Sequence, residues 1–117
     1  MFDFIRLACA VPDVEVGNTE FNTQEIIKYI DINKDADIIV FPELSVTGYT
    51  CADLFFQKTL IDGAKHGLRQ IANTTNDIDS AVAVGAPLVI GGQLYNCAVM
   101  MSHGRVDGIA VKTFIPT

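Results

Sequence analysis

Apolar residues follow two periods along the chain, and together they predict alternating strands and helices. FDFIRLACAV is mostly apolar and ends at Pro12, which predicts a mostly buried first strand. DADIIVFPE has the same character and stops at Pro42, which predicts a second buried strand. AVAVGAP predicts a third strand that ends at Gly85 and Pro87. LYNCAVMM and VDGIAV, on either side of SHGR, predict a β-hairpin with Gly104 in its turn.

Two other segments space apolar residues three and four positions apart, as an amphipathic helix does. Asn22 and Glu25 resemble a capping box, and they predict a helix from about Asn22 to Lys34. Its apolar stripe comprises Ile26, Ile27 and Ile30, with Phe21 as a further candidate. A second helix, ending in the polar run NTTND, is predicted by Phe55, Phe56, Leu60, Ile61, Ala64, Leu68, Ile71 and Ala72.

The element order β-α-β-α-β-β-β predicts an α/β layered domain. The length of 117 residues fits one domain. Two helices cannot cover both faces of a five-stranded sheet, and only a few residues follow the last predicted strand. Half of the residues are hydrophobic, a high share for so short a chain. We therefore expect residues 1–117 to be the N-terminal portion of a larger domain, with apolar surface for further chain or a partner.

Charge and cysteine content exclude several function classes. Eight Lys and Arg against fourteen Asp and Glu give a net charge of −6, and no basic cluster offsets it, which argues against nucleic-acid and anionic-membrane binding. The apolar runs are strand-sized rather than membrane-sized. Cys9, Cys51 and Cys97 are odd in number and widely spaced, so they predict neither a disulfide framework nor a metal site. This cysteine usage fits a reducing cytoplasm.

Two charged residues follow predicted strands, where ligands of α/β sheets gather. Glu43 comes after IIVFP, and Lys112 comes after VDGIAV. A carboxylate and an ammonium placed together stabilise each other's ionised form, and they suit a general base and an oxyanion stabiliser. The alternative is that both are solvated strand ends. Tyr49, in the loop SVTGYTC, is a candidate pocket residue or an ordinary loop aromatic.

The remaining chemistry-bearing residues are not expected to take part in catalysis. His66 falls in the second predicted helix and His103 in the hairpin turn, both are expected to be solvated, and neither has a metal-ligand neighbour at useful spacing. Cys9 and Cys97 fall in predicted strands, where a free cysteine is usually a small buried hydrophobe. Cys51 is interpreted in the same way.

The segments around Glu43 and Lys112 resemble a known family. DADIIVFPELSVTGYTCADLFFQ is similar to the first signature of the carbon–nitrogen hydrolase (nitrilase-like) superfamily, and VDGIAVKTFIPT is similar to its second. FIRLACAVPDVEVGN and NTQEIIKYI also fit, so the resemblance covers essentially the whole chain. GYTCADLFF and GGQLYNCAVMMSHGRVDGIAVKTFIPT resemble most the glutaminase domains of glutamine-dependent NAD⁺ synthetases.

The resemblance implies a four-layer α-β-β-α sandwich in the complete domain, and a Glu-Lys-Cys triad that hydrolyses glutamine. Glu43 would be the general base, Lys112 would stabilise the oxyanion, and Tyr49 would line the glutamine pocket. The family's nucleophilic cysteine lies beyond the last residue, so none of the three cysteines is expected to be the nucleophile. The chain alone is therefore expected to be inactive. Thr117 departs from the family, which more often has Asn there.

The resemblance also implies partners and cofactors outside this chain. A C-terminal synthetase domain, absent here, would use ATP and Mg²⁺ to adenylate deamido-NAD⁺, and residues 1–117 would hold no cofactor. Glutamine, the missing C-terminal part and further copies in a homo-oligomer are the expected partners. Two other hypotheses stay open: a nitrilase-like amidase for another amide or nitrile, and a non-catalytic binding or assembly module on the same scaffold.

Overall fold

A five-stranded mixed sheet organises residues 4–48 and 58–114, which are those that this computed structural model describes. The helices of the described residues are α1 (Thr19–Ile32) and α2 (Lys58–Thr74), with a 3₁₀ turn at Thr75–Asp77. The strands lie side by side in chain order, namely β1 (Leu7–Cys9), β2 (Ile38–Val40), β3 (Ala81–Ile90), β4 (Gln93–Ser102) and β5 (Arg105–Phe114). The predicted element order and the α/β class are confirmed.

The sheet changes direction at β3. β1, β2 and β3 are parallel and are linked through the helices, whereas β3, β4 and β5 form consecutive antiparallel hairpins. His103 and Gly104 turn the second hairpin with φ of 51° and 80°, the left-handed pair that matches strand twist. Gly104 thus occupies the predicted turn. Gly91 and Gly92 turn the first hairpin with φ of 58° and 81°, a hairpin that the sequence analysis missed.

The core lies between the two helices and one face of the sheet. Alternate strand residues point to this face, and the helices meet it with the stripes predicted for them. Phe55 and Phe56 of the second predicted stripe lie outside the described residues. The central buried side chains are Ile26, Ile30, Ile39, Ala64, Leu68, Ile71, Val82, Val84, Val99 and Met101.

Helix α1 begins three residues before the predicted start. Asn18, not Asn22, is its N-cap, and the Asn18 Oδ1 accepts a hydrogen bond from the Phe21 backbone N–H at 3.0 Å. Asn22 is buried instead, and its Nδ2 donates to the Val46 carbonyl at 3.0 Å. The capping-box pattern was therefore misleading, because the buried asparagine ties the helix to the loop after β2. The helix ends at Ile32 rather than at Lys34.

The prediction of a mostly buried first strand is wrong. β1 has three residues and lies at the edge of the sheet, where β2 is its neighbour. Leu7 is 57% exposed, and Phe4, before the strand, is 89% exposed. Cys9 is also exposed rather than buried. The reason is register, because Leu7 and Cys9 pair with Ile38 and Val40 on the face away from the helices.

Strand β3 does not end at Gly85 and Pro87 as predicted, but continues to Ile90. The Gly85 N–H donates to Ser45 Oγ at 3.2 Å, and its carbonyl accepts from Val46 N at 3.1 Å. Both backbone groups of Gly85 therefore point away from β4. Backbone groups of residues two apart in a strand point the same way, so the nitrogen of Pro87, like that of Gly85, faces away from β4. The missing N–H of Pro87 therefore removes no bond between β3 and β4.

The sheet face opposite the helices, here called the open face, is apolar and made largely of small residues. No helix covers it among the described residues, which agrees with the expectation that two helices cannot cover both faces. Met100, for example, is 37% exposed. The register places these residues on the open face: Val40, Ala83, Gly85, Ala98, Met100, Gly108 and Ala110.

Helix α1 packs against α2 at Gly63 and Gly67, which face Thr19 and Thr23. The contact at Gly67 can be tested by substitution. A Cβ added to Gly67 would lie 2.3 Å from Thr23 Oγ1. We expect Gly67→Ala to lower the free energy of unfolding by about 1–3 kcal/mol, since overpacking outweighs the roughly 1 kcal/mol gained in helix propensity. Chemical denaturation measures this change.

The control is the same substitution in a Thr23→Ala background. Removing the hydroxyl removes the clash, so Gly67→Ala should there become neutral or stabilising. Equal destabilisation in both backgrounds would show that contact with Thr23 does not limit the approach of the two helices.

Candidate active site

Glu43 and Lys112, which are 69 residues apart in the chain, are brought together by the sheet. Glu43 follows β2, and Lys112 lies near the end of β5. The Lys112 ammonium donates a hydrogen bond to Glu43 Oε2 within an ion pair. The Glu43 side chain is 24% exposed and the Lys112 side chain 67% exposed. The two are therefore not independent solvated strand ends, although the lysine side chain remains accessible to water.

A β-bulge places Lys112. Asn96 pairs with Thr113 and Cys97 pairs with Val111, so Lys112 is the extra residue of β5 between them. Bulges bend a strand locally and redirect a side chain, and they are common beside active sites. The sequence offered no signal for this bulge, because KTF continues a plausible strand.

The turn after β2 holds Glu43 in place. Leu44 has a φ of 52°, a left-handed backbone conformation that residues other than glycine rarely adopt. The following residues are buried and are bonded to two other elements. Ser45 Oγ and Val46 N contact the Gly85 backbone, while the Val46 carbonyl accepts from Asn22. Contacts on both sides therefore fix the backbone that carries the carboxylate.

Gly85 lets this turn pass directly over β3. A Cβ on Gly85 would lie 2.3 Å from the Leu44 nitrogen and 2.8 Å from the Pro42 carbonyl oxygen. The sequence analysis treated Gly85 as the end of a strand, whereas the structure gives it a positioning role. The available signal was a glycine inside a β-rich run, which often marks a close backbone approach.

Glu43 and Lys112 line a cavity of about 220 Å³ at the carboxyl end of β2. Apart from these two, the described residues that line it are uncharged. They are Val40, Phe41, Pro42, Ala83, Val84, Gly85, Asn96, Cys97 and Ala98. A carboxylate can move a proton and an ammonium can stabilise an oxyanion. An apolar lining strengthens such charge interactions when water is excluded from the cavity.

Asn96 is a polar lining residue that the sequence analysis missed. It is 5% exposed, and its Oδ1 has no hydrogen-bond partner among the described residues. The signal was an amide side chain within the otherwise apolar run LYNCAVMM.

Cys97 lines the cavity but is not an activated thiol. It is fully buried, and burial raises the pKa of its thiol, which keeps the sulfur protonated. His66 and His103 are exposed, as predicted. Tyr49 and Cys51 lie outside the described residues. Within residues 4–48 and 58–114, no three metal-ligating side chains cluster, and no helix has the length and hydropathy of a membrane span.

Comparison with known proteins places this geometry in a family. The sequence pattern of the carbon-nitrogen hydrolase family matches residues 7–113. The chain belongs to the carbon-nitrogen hydrolase family. The resemblance carried by the segments around Glu43 and Lys112 is thus confirmed at the level of the family.

Three proteins illustrate what this chain is similar to in sequence and structure. A glutamine-dependent NAD⁺ synthetase from Aquifex aeolicus is 36% identical over 113 residues, which are 96% of this chain and 20% of that protein. The crystal structure of a glutamine-dependent NAD⁺ synthetase from Cytophaga hutchinsonii is 32% identical with a TM-score of 0.86, covering 94% of this chain and 19% of that one. An amidase of the nitrilase superfamily from Nesterenkonia shares the fold at 22% identity and a TM-score of 0.75, covering 92% and 42%.

The chain is much shorter than these relatives. It spans between 17% and 22% of the length of the curated relatives it matches. The family is therefore established over the length of this chain, whereas the activities in the names of the relatives belong to longer proteins.

The close approach at Gly85 generates a second prediction. Gly85→Ala should lower the free energy of unfolding by about 1–3 kcal/mol, because the new Cβ meets backbone atoms that have little freedom to move. Gly108→Ala is the matched control, since a Cβ there has no neighbour within 4 Å. Denaturation of both variants tests this, and similar stability for the two would contradict the proposed constraint.

Burial generates a third prediction, about the two described thiols. With excess iodoacetamide at pH 8, Cys9 should be alkylated in minutes, whereas Cys97 should react at least about tenfold more slowly because its thiol is buried and its pKa is raised. Peptide mass spectrometry reports each site separately. Denaturant should abolish the difference, and rapid labelling of Cys97 without denaturant would contradict the buried geometry.

Proposed function

We propose that this chain forms the first part of the glutaminase domain of a glutamine-dependent NAD⁺ synthetase, with Glu43 and Lys112 as two of three catalytic residues. The contact between Lys112 and Glu43 at the cavity carries the proposal. The relatives from Aquifex aeolicus and Cytophaga hutchinsonii support this choice of substrate, since both are glutamine-dependent enzymes by name and match nearly all of the chain.

The ion pair is better explained by chemistry than by stability. An ion pair with this much exposure contributes only about 0–1 kcal/mol to folding. The bulge that presents Lys112 and the left-handed turn that presents Glu43 are both costly local structures. Such features are typical of functional sites, where precise placement of a side chain outweighs the strain.

The third catalytic group in this proposal is a cysteine located after residue 117 in the longer protein. Glu43 takes the thiol proton, and the thiolate sulfur forms a bond to the carboxamide carbon of glutamine. Lys112 stabilises the negative oxygen of the tetrahedral intermediate, a charge that the substrate lacks. The carbon–nitrogen bond then breaks, and Glu43 returns the proton to the nitrogen, which leaves as ammonia. Glu43 next takes a proton from water, which attacks the thioester and releases glutamate and the thiol.

The open face gives the rest of the domain a place to pack. A second sheet from later in the chain would cover it and complete the α-β-β-α sandwich, which would also shield Lys112 from water. Tyr49 would line the glutamine pocket. The ammonia would feed the amidation of deamido-NAD⁺ in a synthetase domain that binds ATP and Mg²⁺ outside this chain.

Substitution of the ion pair in the full-length protein is the test. Glu43→Gln and Lys112→Ala should each reduce glutamine-dependent NAD⁺ synthesis by at least about 100-fold, which is the scale of losing a general base or an oxyanion stabiliser. Synthesis from free ammonia should remain close to that of the unsubstituted protein, because the synthetase chemistry does not use these residues.

Lys34→Ala is the control, since Lys34 is an exposed lysine paired with Asp31 away from the cavity. Persistent glutamine-driven turnover in the Glu43 and Lys112 variants would refute the assigned roles. Hydrolysis of other amides without NAD⁺ formation by the unsubstituted protein would instead favour an amidase on the same scaffold.

A further inference from the structure

The turn that carries Glu43 is attached to β3 through a side chain, the hydroxyl of Ser45. This serine is 2% exposed, and its Oγ accepts a hydrogen bond from the Gly85 N–H at 3.2 Å. The same oxygen lies 3.5 Å from the Gly85 carbonyl oxygen. Ser45 is not among the described residues that line the cavity, so an effect of Ser45 on the reaction must act through another group.

The Ser45 hydroxyl takes the place of a backbone carbonyl in the sheet. β2 and β3 pair in parallel as far as Val40 and Ala83, and the Phe41 N–H still donates to the Ala83 carbonyl. In a continued parallel ladder, the next N–H of β3 that faces β2 is that of Gly85, and it would donate to a carbonyl of β2. It donates to Ser45 Oγ instead, because the chain leaves the ladder at the turn.

Removal of this hydroxyl would displace the turn. Gly85 is buried, and a buried N–H without an acceptor is costly. The gap left by one hydroxyl group is smaller than a bound water molecule needs, so the N–H regains a partner only if the turn shifts. Leu44 has a left-handed φ of 52°, which persists only while its surroundings impose it, and would relax first. Glu43 directly precedes Leu44, so its carboxylate would move as well.

We infer that Ser45 is a positioning residue for the general base, and that its hydroxyl supports the rate of glutamine hydrolysis without contacting the substrate. This inference rests on the proposed function and deepens it. A displacement of about 1 Å in a reacting group can cost about 100-fold in rate, so a small shift of the Glu43 carboxylate is sufficient. Binding of glutamine should change little, because the walls of the cavity keep their side chains.

The other end of β3 offers a matched control, the hydroxyl of Ser80. Ser80 directly precedes β3, is fully buried, and donates to the Ala36 carbonyl at 2.6 Å. Like Ser45, it joins β3 to a segment next to β2 through a buried side-chain hydrogen bond. It lies at the amino end of the strand, however, whereas the cavity lies at the carboxyl end of β2. Loss of the Ser80 hydroxyl should therefore destabilise the fold without moving Glu43.

The test measures steady-state hydrolysis of L-glutamine by the full-length protein. Ser45→Ala should lower kcat by about 10–100-fold, while KM changes by less than about threefold. Ser45→Thr retains the hydroxyl and should recover most of the lost kcat. Ser80→Ala should leave kcat and KM within about twofold of the unsubstituted protein, although its Tm falls as that of Ser45→Ala does. If Ser45→Ala fails to fold, Ser45→Cys, which keeps a weaker acceptor of similar size, takes its place in the comparison.

Three results would overturn the role of Ser45 and leave the proposed function standing. They are an unchanged kcat in Ser45→Ala, an equal fall of kcat in Ser80→Ala, and a folded Ser45→Thr variant that is as slow as Ser45→Ala. Synthesis from free ammonia should persist in every variant, which reports that the rest of the protein is folded. Absence of glutamine hydrolysis by the unsubstituted protein would instead overturn the proposed function and, with it, this inference.

Discussion

The close passage of the turn after β2 over Gly85 is the constraint on which the site depends. With a hydrogen atom in place of a side chain, β3 allows the backbone of residues 42–44 to lie against it. Gly85 can then bond to Ser45 and Val46 through its own N–H and carbonyl. These bonds replace the parallel pairing that stops after Val40 and Ala83. The backbone that carries Glu43 is thereby held at the end of the sheet.

The topology of the sheet explains how Glu43 and Lys112, 69 residues apart in the chain, come together. β2 is parallel to β3, whereas β5 is reached through two hairpins. Two reversals return β5 to the direction of β3. The carboxyl end of β5 therefore lies at the same edge of the sheet as the carboxyl end of β2. Two strands separate β5 from β2, and the small side chain of Ala98 leaves room for the cavity beside the turn that passes over Gly85. The bulge at Lys112 then aims the ammonium across this space.

The sequence predicted what depends on local pattern. Hydrophobic spacing gave the order of elements, Pro42 marked the end of β2, and Glu43 and Lys112 were identified by their positions after strands. Features set by tertiary contacts were not predictable. Asn22 looks like a helix cap but is buried beneath the β2 turn, and Pro87 looks like a strand end because the direction of its missing N–H depends on strand register. The orphaned oxygen of Asn96 is likewise visible only when its surroundings are known.

The two faces of the sheet differ in the size of their side chains. Large branched residues such as Val82 and Val84 pack against the helices, while Ala83 points the other way and Gly85 has no side chain. A face of small residues permits a flat, close-packed neighbour, as the interface between two sheets requires. It also leaves the exposed side chain of Lys112 with room around it near one end. The alternation of large and small residues in AVAVGAP therefore builds the core on one side and the cavity on the other.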